Sequence, residues 1–170
     1  CTPSTDDITI NVDELPTTAD AGLDQTICSP TATLAANTPL IGTGTWTVIA
    51  GTGAVTSVND PNSGVTGLTT GINTFRWTIT NGTCTPSTDD ITINVDELPT
   101  TSDAGLDQTI CSPTATLAAN TPLIGTGTWT VIAGTATVTN VNDPNSGVTG
   151  LTTGVNTFRW TITNGTCTPS

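Results

Sequence analysis

The sequence contains no histidine, lysine, tyrosine or methionine, and its only cationic side chains are Arg76 and Arg159. The usual bases that activate a serine, threonine or cysteine are therefore missing. So is the lysine that a Lys–Asn isopeptide staple requires. Fourteen acidic residues against two arginines give a net charge of −12. That sign cannot replace counterions on phosphate, which excludes nucleic acid as a partner. No apolar run approaches the ~18 residues that span a bilayer. No charged segment, apolar core and cleavage site open the chain, so an export signal is expected outside it. Aromatic residues make up 4% and charged residues 9%, the latter well under the roughly 25% of ordinary soluble domains.

Threonine fills the space, at roughly a quarter of all residues, spread evenly along the chain. It is β-branched and suits strands, with its methyl toward neighbours and its hydroxyl toward water. The acidic balance suits solubility, divalent cations, or repulsion between neighbouring fibres.

Self-comparison gives the strongest signal. CTPSTDDITINVDELPTT starts at Cys1 and again at Cys84, and CTPS returns at Cys167, a period of 84 − 1 = 167 − 84 = 83 residues. Residues 1–87 and 84–170 differ at five positions: Ala19/Ser102, Gly53/Ala136, Ala54/Thr137, Ser57/Asn140 and Ile72/Val155. That period is too long for a solenoid coil and fits a small sandwich. Alternation and turn residues predict strands over 24–27, 31–36, 45–50, 54–58, 64–68 and 73–80, and a last strand through Ile91, Ile93 and Val95. Leu34, Trp46, Val48, Phe75, Trp77 and Ile79 are expected to face inward, and Thr74, Arg76, Thr78 and Thr80 outward. The fold expected is all-β: tandem seven-stranded immunoglobulin-like sandwiches. Residues 1–15 read as the last strand of an upstream module, 16–98 as a complete module, and 99–170 as a module short of its final strand.

DAGLDQTICSPTATLAAN, GTWTVIAG and GLTTGINTFRWTITNGTC, followed by an alternating strand, resemble the Ig-like and PKD-like tandem repeats of very large Bacteroidota surface proteins. The SprB-like gliding-motility adhesins are the nearest likeness. The resemblance covers essentially the whole chain and implies a cell-surface location and a filament or adhesin role.

Five cysteines in a secreted repeat chain favour disulfides. Pairing within each module gives Cys28–Cys84 and Cys111–Cys167 and leaves Cys1 alone. Topology argues for another pairing, because Cys28 lies at the corner after the first strand and Cys84 just past the Asn-Gly turn. Those corners fall at opposite ends of a sandwich, ~20 Å apart, whereas a disulfide needs Cα atoms within ~7 Å. Cys28 can instead meet Cys167 of the next module. Both pairings remain open on sequence alone.

Asp13, Glu14, Asp20 and Asp24, repeated as Asp96, Glu97, Asp103 and Asp107, collect at the module junctions. Hard oxygen ligands of this kind could hold Ca²⁺; otherwise they form a solvated acidic linker. Asn59–Gly64 (NDPNSG) reads as a turn, without the closing Glu of an EF-hand loop. Asn81 and Asn164 match the glycosylation pattern Asn-Gly-Thr, which also serves as a hairpin turn. Carboxylate pairs such as Asp6-Asp7 have no apolar pocket to raise a pKa. The Thr-x-Thr triplets recur too rarely for an ice-binding face.

The functional expectation is therefore not an enzyme. It is a stalk segment of an extracellular adhesin filament, serving gliding or attachment, whose partners are neighbouring modules of the same long chain. The alternative is a repeated module that binds a surface polysaccharide or a protein ligand by avidity. That would need a repeated pocket or exposed aromatics, and the outward positions are nearly all threonine.

Overall fold

A computed structural model describes residues 1–170. It contains twelve strands and no helix, so no helix is long and apolar enough to cross a membrane. The chain forms two compact units. One comprises Cys1–Gln25 with Pro30–Asn94, the other Thr26–Ser29 with Val95–Ser170. The divide does not follow the repeat boundary, because four residues of the first repeat belong to the second unit.

The first repeat supplies β1 (Gln25–Ile27), β2 (Thr31–Thr33), β3 (Thr43–Ala50), β4 (Ala54–Val55), β5 (Gly64–Thr66), β6 (Gly71–Thr80) and β7 (Ser87–Val95). They make one sheet ordered β1-β7-β6-β3 and another ordered β2-β5-β4. The chain leaves the first sheet for the second at Cys28–Pro30. β3 and β6 pair antiparallel with Trp46 opposite Trp77. The period-two alternation of β6 dictates which side is buried: Phe75, Trp77 and Ile79 are inaccessible to solvent. Leu34, Trp46, Val65, Ile91 and Ile93 complete the interior. The Trp46 and Trp77 rings lie 5.0 Å apart, tilted at 43°, a favourable aromatic geometry. Trp46 Nε1 donates to the Asp60 carbonyl at 3.1 Å, so the Asn59–Gly64 turn, whose Asn62 N–H is capped by the Asp60 carboxylate, also anchors a core ring.

All seven predicted strands of this repeat are present, several of them shorter than expected. Beyond Thr33 the backbone reaches from Leu34 N to Ser63 O and from Ala36 N to Pro61 O, both on the turn, and the regular ladder stops. Val48, expected inside, is 43% exposed. The last four residues of β3 are exposed around a bulge between Val48 and Ala50.

The second unit repeats the pattern with β8 (Thr114–Thr116), β9 (Thr126–Ala133), β10 (Thr137–Val138), β11 (Gly147–Thr149) and β12 (Thr157–Thr163). Its sheets are β12-β9 and β10-β11-β8. Leu117, Trp129, Val148, Trp160 and Ile162 form its core, with Phe158 only partly buried against it. No strand fills the place that β7 occupies in the first repeat, and positions 108–110, the copies of β1, are not in a strand. β12 accordingly has seven residues against ten in β6.

Candidate functional site

The structure holds two candidate features: a hydrogen-bonded clamp at the Asn-Gly-Thr-Cys turn after the long strand of each repeat, and a covalent corner at the second of these turns. In the first unit the Asp13 carboxylate accepts hydrogen bonds from the Thr83 backbone N–H at 2.7 Å and from the Thr83 hydroxyl at 3.0 Å. Asn81 Nδ2 donates to the Glu14 carbonyl at 2.7 Å. The Cys84 thiol lies 3.3 Å from that same carbonyl. These bonds fix the segment entering the unit against the turn leaving β6. They hold the Asp13 carboxyl below the ordinary aspartate range, because the Thr83 N–H stabilises the anion first and its hydroxyl second. Gly82 sits at φ 51°, and a Cβ there would collide with the Asp13 carboxylate. Glycine is required both for the turn and for the approach of the acid.

The second unit builds the clamp again. Asp96 accepts from Thr166 N–H at 2.7 Å and from its hydroxyl at 2.9 Å, and Asn164 donates to the Glu97 carbonyl at 2.7 Å. Here the cysteine is bonded. Cys28 and Cys167 form a disulfide, with Cα atoms 4.9 Å apart and a sequence separation of 139. Asp96 N–H donates to the Ile27 carbonyl at 2.7 Å, beside the bond. The tie thus joins Ile27 and Cys28, Asp96 and Glu97, and the turn from Asn164 to Cys167.

The Cys28–Cys84 and Cys111–Cys167 pairings are therefore corrected, since Cys84 and Cys111 are free thiols, as is Cys1. The reason is the sheet switch: Cys28 lies where the chain passes from β1 to β2, and the turn that reaches it belongs to the following repeat.

The acidic residues expected as a Ca²⁺ set do not converge, and no three acidic or cysteine side chains come together as a metal site. Several of them instead bind nearby backbone. Asp20 Oδ1 accepts from Gly22 N–H, and Asp103 Oδ1 from Gly105 N–H. Asp24 Oδ1 takes the Thr92 N–H at 2.8 Å, which ties residues before β1 to β7. Asp13 and Asp96 belong to the clamps, where Glu14 and Glu97 contribute only their carbonyls. Asp107 lies along an open groove of the second unit.

Sequence reading missed the Asp13–Thr83 and Asp96–Thr166 bonds. Their signal is the recurrence of Asp-Glu 70 residues before Thr-Cys in both repeats. It also missed the partner of outward-facing Arg76, which binds Asp90 through two nitrogens at 2.7 and 2.9 Å across β6 and β7. No family model matches this chain, and no curated protein is detectably similar to it.

Proposed function

We propose that this chain is a structural, load-bearing segment of an extracellular adhesin filament built from immunoglobulin-like modules, without catalytic activity of its own. The observation that carries this reading is the Cys28–Cys167 bond, which ties one sequence repeat to the next. Force applied along the chain passes from residue 28 to residue 167 through the disulfide, and the 138 residues between are bypassed. In an array each repeat would carry the same bond, so closures would overlap: the next would begin at Cys111, 167 − 111 = 56 residues before this one ends. An oxidising location outside the cell is where such a bond persists. Exposed threonine faces and acidic charge keep such fibres hydrated and apart.

Single-molecule pulling from the two ends tests the reading. The oxidised chain is expected to hide the residues between Cys28 and Cys167. Reduction should release an added contour length of roughly 500 Å, at about 3.6 Å per residue. Equal extension before and after reduction would defeat a load-bearing role.

A further inference from the structure

Asparagine stands directly before glycine at two places in the chain, Asn81-Gly82 and Asn164-Gly165, and both are clamp turns. That dipeptide is prone to an intramolecular reaction, because glycine puts no side chain in the way of its own backbone nitrogen. The Gly82 nitrogen attacks Asn81 Cγ, and an N–C bond forms. The Cγ–Nδ2 bond breaks, and Nδ2 leaves as ammonia with the proton lost from the backbone nitrogen. Water, the only co-reactant, then opens the five-membered succinimide at either carbonyl to give aspartate or isoaspartate.

Each folded turn opposes that reaction. Asn81 Nδ2 donates to the Glu14 carbonyl at 2.7 Å, and Asn164 Nδ2 to the Glu97 carbonyl at 2.7 Å. A carbonyl only accepts, so it holds the amide nitrogen and has no proton to give a leaving group. Beyond Gly82, the Thr83 N–H is fixed on Asp13, and the Cys84 N–H closes the turn on the Asn81 carbonyl at 3.1 Å. Thr166 and Cys167 hold Gly165 in the same way, with the Cys167 N–H 3.0 Å from the Asn164 carbonyl. The asparagine side chain and the glycine backbone are therefore both pinned, although Gly82 and Gly165 are exposed to water. We propose that Asn81 and Asn164 are deamidation sites governed by the clamp, which shields them while shut and cannot shut again once they have reacted.

The irreversibility follows from hydrogen-bond chemistry. Aspartate at 81 offers only acceptors, and it would face the Glu14 carbonyl across the 2.7 Å that the amide N–H now bridges. Two acceptors in contact lose the bond and leave both groups unsatisfied. Isoaspartate also lengthens the backbone, which moves Thr83 off the Asp13 carboxylate. On the load-bearing reading, a clamp pulled open would keep a chemical mark of that event. The reaction itself does not depend on that reading, because denaturant opens the clamp as well.

The test incubates the full chain at mildly alkaline pH without applied force, folded in one arm and in urea with reductant in the other. After quenching and reduction, trypsin separates the sites into peptides 77–159 and 160–170, and fragment masses locate each deamidated residue. Both sites should stay asparagine in the folded chain and convert many-fold faster in urea. Asp13→Ala should speed conversion at Asn81 and leave Asn164 unchanged, and Asp96→Ala should do the reverse. Circular dichroism checks that the strands survive, and Thr83→Val or Thr166→Val opens the same clamps more gently should either alanine variant unfold. Asn81→Asp should lower the urea midpoint at neutral pH, whereas Asn62→Asp, which adds the same charge at an exposed turn position, should not. Folded and unfolded chains that deamidate at equal rates would overturn the proposal. So would folded clamp variants with no faster conversion at their own site, or an Asn81→Asp midpoint equal to that of Asn62→Asp.

Discussion

Gly44 lies against the indole of Trp77, and a Cβ at that position would clash with the ring; Gly127 stands in the same relation to Trp160. The large ring is therefore matched to the absence of a side chain across the β3–β6 pair. Gly44→Ala is expected to force Trp77 out of place and cost about 1–3 kcal/mol, read as a lower urea midpoint with the slope unchanged. Trp77→Ala opens a cavity instead and should cost about 3–5 kcal/mol, a large part of the stability of so small a unit. At the surface, Asp13 and Asp90 both titrate below the ordinary aspartate range. Asp13 is held down by Thr83, and Asp90 first by its hydrogen bond from Arg76. A carboxyl with a depressed folded pKa stabilises the fold above its unfolded pKa, near 4, and that contribution is lost as pH falls through the folded value. Urea midpoints should therefore drop below about pH 4, and Asp13→Asn should lower the midpoint at neutral pH while making its fall with acid shallower. An Asp13→Asn midpoint as acid-sensitive as that of the parent would remove the clamp from the account.

At the scale of elements, the two copies of one sequence differ by their neighbours. Phe75 is fully buried on β6, which has β3 on one side and β7 on the other, whereas Phe158 on β12 is only partly covered. Ala21 is buried and its copy Ala104 exposed for the same reason. Hydrogen exchange should be faster at the groove-facing amides of β12 than at the matching amides of β6, because an unpaired edge leaves N–H groups to solvent. Equal protection would mean that another segment covers the groove. The elements legible in the sequence were those with a strong period. Residues 73–80 alternate Phe75, Trp77 and Ile79 with threonine and arginine, and Asn81-Gly82 marks the end. The less legible parts depend on bonds between distant residues. No local pattern links Asp13 to Thr83, 70 positions away. The junction acids looked like a cation site because their number is visible in sequence, while the backbone N–H groups that occupy several of them are not. Val48 follows the inward alternation of Trp46, yet a bulge and the exposed end of β3 leave it in water.

For the whole molecule, the decisive feature is a bond that does not respect the repeat. Cys28 and Cys167 close a loop of 139 residues, which restricts the unfolded chain by about 5 kcal/mol on loop-closure entropy alone. Reduction should lower the thermal midpoint of the second unit, which holds both cysteines, and Cys28→Ser should reproduce the effect without a reductant. The cysteine spacing left two connectivities open; the sheet switch after β1 favoured the bond between repeats, and the structure contains it. Mapping the bond in the folded, unreduced protein tests the account most directly. Trypsin has only Arg76 and Arg159 to cleave after, so the digest should use an Asp-directed protease. Recovery of the Cys28 peptide joined to the Cys167 peptide, with Cys84 open to alkylation, is the predicted result. Recovery of Cys28 joined to Cys84 would contradict it.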